Sequence, residues 1–119
     1  MTGIKKNDDF SRVYREGRSC ADRRLVMYVL DSAAGDENEV PANRLGISVS
    51  KKVGNAVARN LVKRRLRECF RPHLRDVKNG LYVIVARPSA ATANFQSLSR
   101  QVHDLLTRQH TFKEVNRAK

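Results

Sequence analysis

Tryptophan is absent from this 119-residue chain, and four Phe with three Tyr bring the aromatic share to only 6%. Cysteine is scarce as well. Cys20 and Cys69 stand far apart, with no CxxC and no histidine at ligand spacing. That excludes the common structural zinc arrangements and leaves two reduced, mostly buried thiols. No apolar run approaches the roughly 20 residues of a membrane span. Met1 to Asp9 carry no apolar stretch of the signal-peptide kind, so a cytoplasmic protein with no membrane partner is expected. No nucleophile elbow, phosphate-cradling Gly loop or metal signature is visible. The only histidines, His73, His103 and His110, pair with no carboxylate cluster. The chain is therefore expected to hold no catalytic residue, metal ligand or cofactor of its own.

Acidic residues are the most telling shortage: 12 Asp and Glu face 24 Lys and Arg, a formal net charge of +12 at pH 7. Such a charge opposes compaction and favours polyanions as partners. Nucleic acid is the leading candidate, with an anionic membrane surface or a merely solubilising charge as the alternatives. With 40% apolar residues, the length suits one compact domain over 1–119, large enough for a core without staples.

Local patterning predicts the elements. Asn7 is placed to cap a helix, with Asp8 and Asp9 in its first turn and Gly17 as its stop. The run Leu25–Leu30 is apolar on both alternating faces, which predicts a strand covered on each side; Arg18–Asp22 adds a short edge strand. The acidic segment 31–43 reads as a mobile hairpin loop. Leu45, Ile47 and Val49 alternate with Gly46, Ser48 and Ser50, giving a strand with one polar face. A strong helix follows from about Asn55 to Arg71, ended by Pro72. Leu81–Ala86 forms a strand after an Asn79-Gly80 turn. Asn94 then caps a helix carrying Phe95, Leu98, Val102, Leu105 and Leu106 on one face, and residues 111–119 form a polar, fraying tail. Helix, strands, helix, strand, helix predicts an α/β (α+β) sandwich around a small sheet.

The helix after Asn55 is the densest basic region. Arg59, Lys63, Arg67 and Arg71 recur at i, i+4, with Asn60 and Arg64 one column aside and Ala58, Val62, Leu66, Cys69 and Phe70 opposite. Arg65 falls near the apolar sector and snorkels from it. Glu68 is the single acid between Lys51 and Arg71, so repulsion along the ladder goes unrelieved unless phosphates supply the counter-charge. The flanking strands argue against a DNA-reading helix-turn-helix.

The string Lys51-Lys52-Val53-Gly54-Asn55-Ala56-Val57-x-Arg59-Asn60-x-x-Lys63-Arg64-x-x-Arg67-Glu68 resembles the signature of bacterial ribonuclease P protein subunits. Agreement extends to Lys5-Lys6-x-x-Asp9-Phe10-x-x-Val13-Tyr14-x-x-Gly17, to Ser19–Tyr28, to Gly46–Ser50 and to Tyr82–Pro88. Leu61 stands where many members have Arg, and the basic lead-in before the first helix is shorter than usual. The resemblance implies a left-handed βαβ crossover and a protein that helps a catalytic RNA remove the 5′ leader from precursor tRNA, with Mg²⁺ held by that RNA. It implies RNA-subunit contacts at Lys51, Lys52, Arg59, Asn60, Lys63, Arg64 and Arg67, and a leader cleft at Phe10, Tyr14 and Tyr28. Spacing alone favours Phe10 and Tyr14 as core; the resemblance moves Tyr14 and Tyr28 to the cleft and gives Phe10 both roles. The alternative is a non-catalytic RNA-binding module such as a ribosomal protein or RNA chaperone, which shares the basic ladder but needs no cleft.

Overall fold

The computed structural model describes residues 2–3, 7–31 and 44–112. Its elements are β1 (Thr2–Gly3), α1 (Asn7–Glu16), β2 (Arg18–Ala21), β3 (Leu25–Asp31), β4 (Arg44–Val49), α2 (Ala56–Phe70), β5 (Gly80–Ala86) and α3 (Phe95–Arg108). Short 3₁₀ turns lie at Lys51–Val53, Arg71–His73 and Pro88–Thr92. The caps follow side-chain chemistry: Asn55 Oδ1 accepts from the Ala58 N–H at 2.9 Å and Asn94 Oδ1 from the Ser97 N–H at 2.8 Å. Asn7 is the first helical residue of α1, where a position just ahead of the helix was expected; the side chains of Asn7 and Asp8 lie outside the described part. Gly17 ends α1 as expected, and for a second reason: a Cβ there would sit 2.6 Å from the Val13 carbonyl oxygen and 2.9 Å from that of Val29. Only glycine lets the chain turn this tightly against β3.

The α+β sandwich is present. Five strands pair in the order β1-β4-β5-β3-β2. β3 is antiparallel to both β2 and β5, whereas β4 runs parallel to β1 and β5, so β4–α2–β5 is a βαβ crossover. This order corrects the hairpin expected at 31–43. β5 lies between β3 and β4, so these two strands are not hydrogen-bonded neighbours and do not make a hairpin. Local patterning misses this because β5, apolar on both faces, claims the most buried place in the sheet. Asp31 belongs to β3, opposite Gly80; the remainder of that segment, 32–43, lies outside the described residues.

Register assigns every sheet side chain to one of two faces. Leu25, Met27 and Val29 of β3, Tyr82, Ile84 and Ala86 of β5, and Leu45 of β4 join Val62, Leu66, Cys69 and Phe70 of α2 and Leu98, Val102, Leu105 and Leu106 of α3 in the main core. The opposite face holds a smaller cluster: Val13 of α1 and Val83 of β5, with Phe10, Tyr28, Leu30, Leu81 and Val85 around them. Asp9 pins α1 to this face by an ion pair with Arg44 of β4 at 3.4 Å, a role beyond dipole complement.

Two expectations for the C-terminal part are corrected. Phe95 is 46% exposed while Leu98, Val102, Leu105 and Leu106 are fully buried, because it occupies the first turn of α3, where the helix overhangs the core. Thr111 does not fray. It is fully buried, its hydroxyl and N–H both donate to the Leu106 carbonyl, and its own carbonyl accepts from the Lys78 N–H at 2.7 Å. Phe112 bridges to Val77, and residues 113–119 lie outside the described part. Leu98→Ala is expected to cost about 2–5 kcal/mol, whereas Phe95→Ala costs about 1 kcal/mol or less. Urea unfolding of the two variants checks the difference.

Candidate RNA-binding surfaces

α2 rests on the sheet through Val62, Leu66, Cys69 and Phe70, all buried. Burial pushes the Cys69 thiol up to about 11, with Glu68 adding to the shift, so the thiol is protonated and inert. Arg65 is half-buried and its guanidinium lies 3.5 Å from the Ala93 carbonyl, as its snorkelling position implied.

The cationic ladder is rearranged. At about 100° per residue, a four-residue step overshoots a full turn by about 40°, so Arg59, Lys63, Arg67 and Arg71 spiral around the helix. Arg59 and Lys63 are half-buried, and Arg59 donates to the Gly54 carbonyl at 3.0 Å, bracing the turn before the helix. Asn60, Arg64, Arg67 and Arg71 are the exposed set, and their i, +4, +7, +11 spacing keeps them within about 60° of one another. Arg71, just past the helix, is paired with Glu68 at 3.1 Å. No ion pair is formed by Arg64 or Arg67 among the described residues. Val57, 78% exposed, and Leu61, 40% exposed, flank this stripe. Lys51 and Lys52 are exposed on the turn after β4, which the buried Val53 anchors.

On the other side of the sheet, α1 covers β3 and β5 only in part. Val13 and Val83 are sealed, but Tyr14 remains 41% exposed. Tyr14 meets Tyr28 edge to face with centroids 4.9 Å apart, and Phe10 lies 6.2 Å from Tyr14. All three residues assigned to a cleft are thus together. Phe10 and Tyr28 also pack on the small cluster, so each combines a core edge with a cleft edge. Burial raises the Tyr14 hydroxyl above its ordinary value, a hydrogen bond with Ser48 opposes this, and Tyr28 adds to the rise; the phenol stays neutral. Beyond α1, register aligns Ser48, Val85, Val26 and Ala21 across four strands, all half-buried. They floor a furrow that starts at the tyrosines.

One step past the strand ends Arg24 and Arg87 are joined through their backbones, the Arg87 N–H donating to the Arg24 carbonyl at 2.8 Å, and strand parity extended by that step would put both on the furrow side. Neither figured among the sequence candidates. The signal was available as Arg24-x-Val26 and Val85-x-Arg87, each basic residue sharing the parity of a furrow valine.

His73, His103 and Phe112 pack together in tilted to edge-on ring contacts, centroids 5.3 to 5.6 Å apart. No group of three or more His, Cys, Asp or Glu among the described residues could hold a metal ion. Likewise, no described helix is long and apolar enough to cross a membrane.

A basic α+β domain with an arginine stripe on its helical layer and an aromatic furrow on the other defines an RNA-binding class of protein. The comparisons narrow it. The family model described as Ribonuclease P matches residues 2–110. The ribonuclease P protein component of Caldanaerobacter subterraneus is 39% identical over 118 residues, covering 98% of this chain and 97% of the relative. That of Listeria welshimeri is 42% identical over 105 residues, covering 87% and 83%. The crystal structure of the Staphylococcus aureus RNase P protein superposes with a TM-score of 0.83 at 36% identity, covering 95% of this chain and 99% of that one. The chain belongs to the ribonuclease P protein family, the protein components of the enzyme that matures tRNA 5′ ends.

Proposed function

We propose that this protein uses the two layers of its sandwich for two different RNAs. The helical layer binds the catalytic RNA through Lys51, Lys52, Asn60, Arg64 and Arg67, with Arg59 and Lys63 on the flank of that surface. The furrow beside α1 receives the single-stranded 5′ leader of precursor tRNA on Phe10, Tyr14 and Tyr28. Mg²⁺ held by the catalytic RNA supplies the hydrolytic chemistry, and the protein works in the cytoplasm. The observation that carries the reading is the incomplete cover of the sheet by α1, which leaves the Tyr14–Tyr28 pair open at the head of a half-buried floor.

The chemistry of each surface suits its partner. Flat rings stack on unpaired bases with little sequence preference, at about 1–3 kcal/mol per base, so leaders of many sequences are accepted. Arg24 and Arg87 lie where a strand leaving the tyrosines would carry its next phosphates. The furrow binds the leader and thereby holds the scissile bond near the RNA's metal ions, while arginines on the far layer offset the repulsion between two polyanions.

Replacing Tyr28 by Ala is expected to weaken holoenzyme binding of precursor tRNA with a leader of several nucleotides by about 5- to 150-fold. Mature tRNA and assembly with the catalytic RNA should change little, and Tyr28→Phe should be near neutral. Equal weakening for precursor and mature tRNA in a folded variant would remove the leader from the furrow. For the helical layer, the Arg64→Gln/Arg67→Gln double variant should flatten the log–log salt dependence of catalytic-RNA binding by about 0.7–0.9 per lost phosphate contact. Arg59→Gln should flatten it less, because that guanidinium is already engaged by Gly54. Salt titrations of both variants test the ordering.

A further inference from the structure

A groove on the outer side of α3 is used by neither the furrow nor the α2 stripe. It is open, has a volume of about 450 Å³, and is lined by Phe95, Gln96, Ser99, Arg100 and His103 of α3 with His73 from the turn after α2. Helical spacing puts Phe95, Ser99 and His103 in one row and Gln96 and Arg100 in the next. Phe95 is the one large apolar side chain on α3 left substantially in water, at 46% exposure. The far wall is fixed, since His73 and His103 each pack against Phe112 and against one another. Burial, and then the neighbouring His103, lower the tendency of His73 to take a proton, so a neutral imidazole that can both donate and accept faces the groove. Arg100 forms no ion pair among the described residues.

These groups make a recognition set: a flat ring, an amide with donor and acceptor, a hydroxyl, imidazoles and a guanidinium. A volume of about 450 Å³ falls within the roughly 300–1,000 Å³ of small-ligand sites. The same chemistry recognises an unstacked nucleotide, through stacking, base-edge hydrogen bonds and a phosphate contact. Charge complementarity points the same way, with an unpaired arginine on a chain of net charge +12. Position selects the RNA. α3 packs beside α2 on the face of the sheet opposite α1, and His73, two residues past Arg71 at the end of the arginine stripe, lines the groove, so an RNA following the stripe to that end would meet it. A leader strand in the furrow lies across the sheet from it.

We propose that the groove receives one unstacked nucleotide of the catalytic RNA, its base against Phe95, its edge met by Gln96 and Ser99, and its phosphate by Arg100. The inference rests on the reading of α2 as the surface facing that RNA. The test is the affinity of the full-length protein for catalytic RNA, measured for Phe95→Leu, which keeps an apolar side chain but removes the flat ring, and for Phe95→Trp. Phe95→Leu should weaken assembly by about 5- to 150-fold, and Phe95→Trp should restore it. Arg100→Gln should flatten the salt dependence by about 0.7–0.9. If folded Phe95→Leu assembles within twofold of the parent while Arg64→Gln/Arg67→Gln weakens binding, the nucleotide site is wrong and the α2 reading stands. If neither set weakens binding, the α2 reading itself fails. Loss confined to precursor-tRNA affinity, with assembly unchanged, would assign the groove to the substrate and overturn the choice of RNA.

Discussion

The placement of β5 at the centre of the sheet organises this molecule. Flanked by β4 on one side and β3 on the other, it needs apolar side chains on both faces, and its two sets of residues nucleate two unequal clusters. Tyr82, Ile84 and Ala86 meet a full layer of two helices. Val83 meets only the ten-residue α1, too short to cover a face of this width. The unfilled remainder is the furrow. Lengthening α1 would improve packing and close the surface on which the proposed substrate contact depends.

Charge is distributed with the same asymmetry. On α2 the arginines that face outward are those left without local acids, apart from the Arg71–Glu68 pair. Exposed pairs of that kind contribute about 0–1 kcal/mol, so relief of the remaining repulsion has to come from outside the helix. The half-buried Arg59 instead braces Gly54 and the turn that carries Lys51 and Lys52. The bracing Arg59 and the outward-facing Arg64 thus stand five residues apart on one helix, which explains how a basic helix can be both well packed and strongly cationic.

Much of this was legible in the residues, and the failures have physical causes. The positions of β2 to β5 and of the three helices, the Gly17 stop and the Asn94 cap are local properties, and local patterning found them; the two-residue β1, defined only by its pairing with β4, was not anticipated. The place of β5 between β3 and β4 is a non-local competition for burial, invisible to a reading that joins neighbouring strands as a hairpin. Counting by fours put Arg59, Lys63, Arg67 and Arg71 in one column, whereas 3.6 residues make a turn; the drift of about 40° per step is why Arg59 and Lys63 are half-buried while Asn60, Arg64 and Arg67, also named from the sequence, are exposed. Phe95 was assigned to the core on periodicity, but periodicity does not say where a helix outruns the core beneath it. Thr111 and Phe112 looked like tail because their anchors, Leu106, Lys78 and Val77, are contacts that only the fold creates. For the site, Tyr14 and Tyr28 were reached through family likeness, whereas Arg24 and Arg87 emerged from strand register.

The central claim is that the sheet separates two RNAs, and proximity mapping in the assembled holoenzyme tests it most directly. A photoreactive group attached at Ser48→Cys, on the furrow floor, is compared with one at Val57→Cys, on the exposed face of α2. The account predicts that the Ser48 probe marks the leader of bound precursor tRNA and that the Val57 probe marks the catalytic RNA. Marking of the same RNA from both positions, or an exchange of the two, would contradict it.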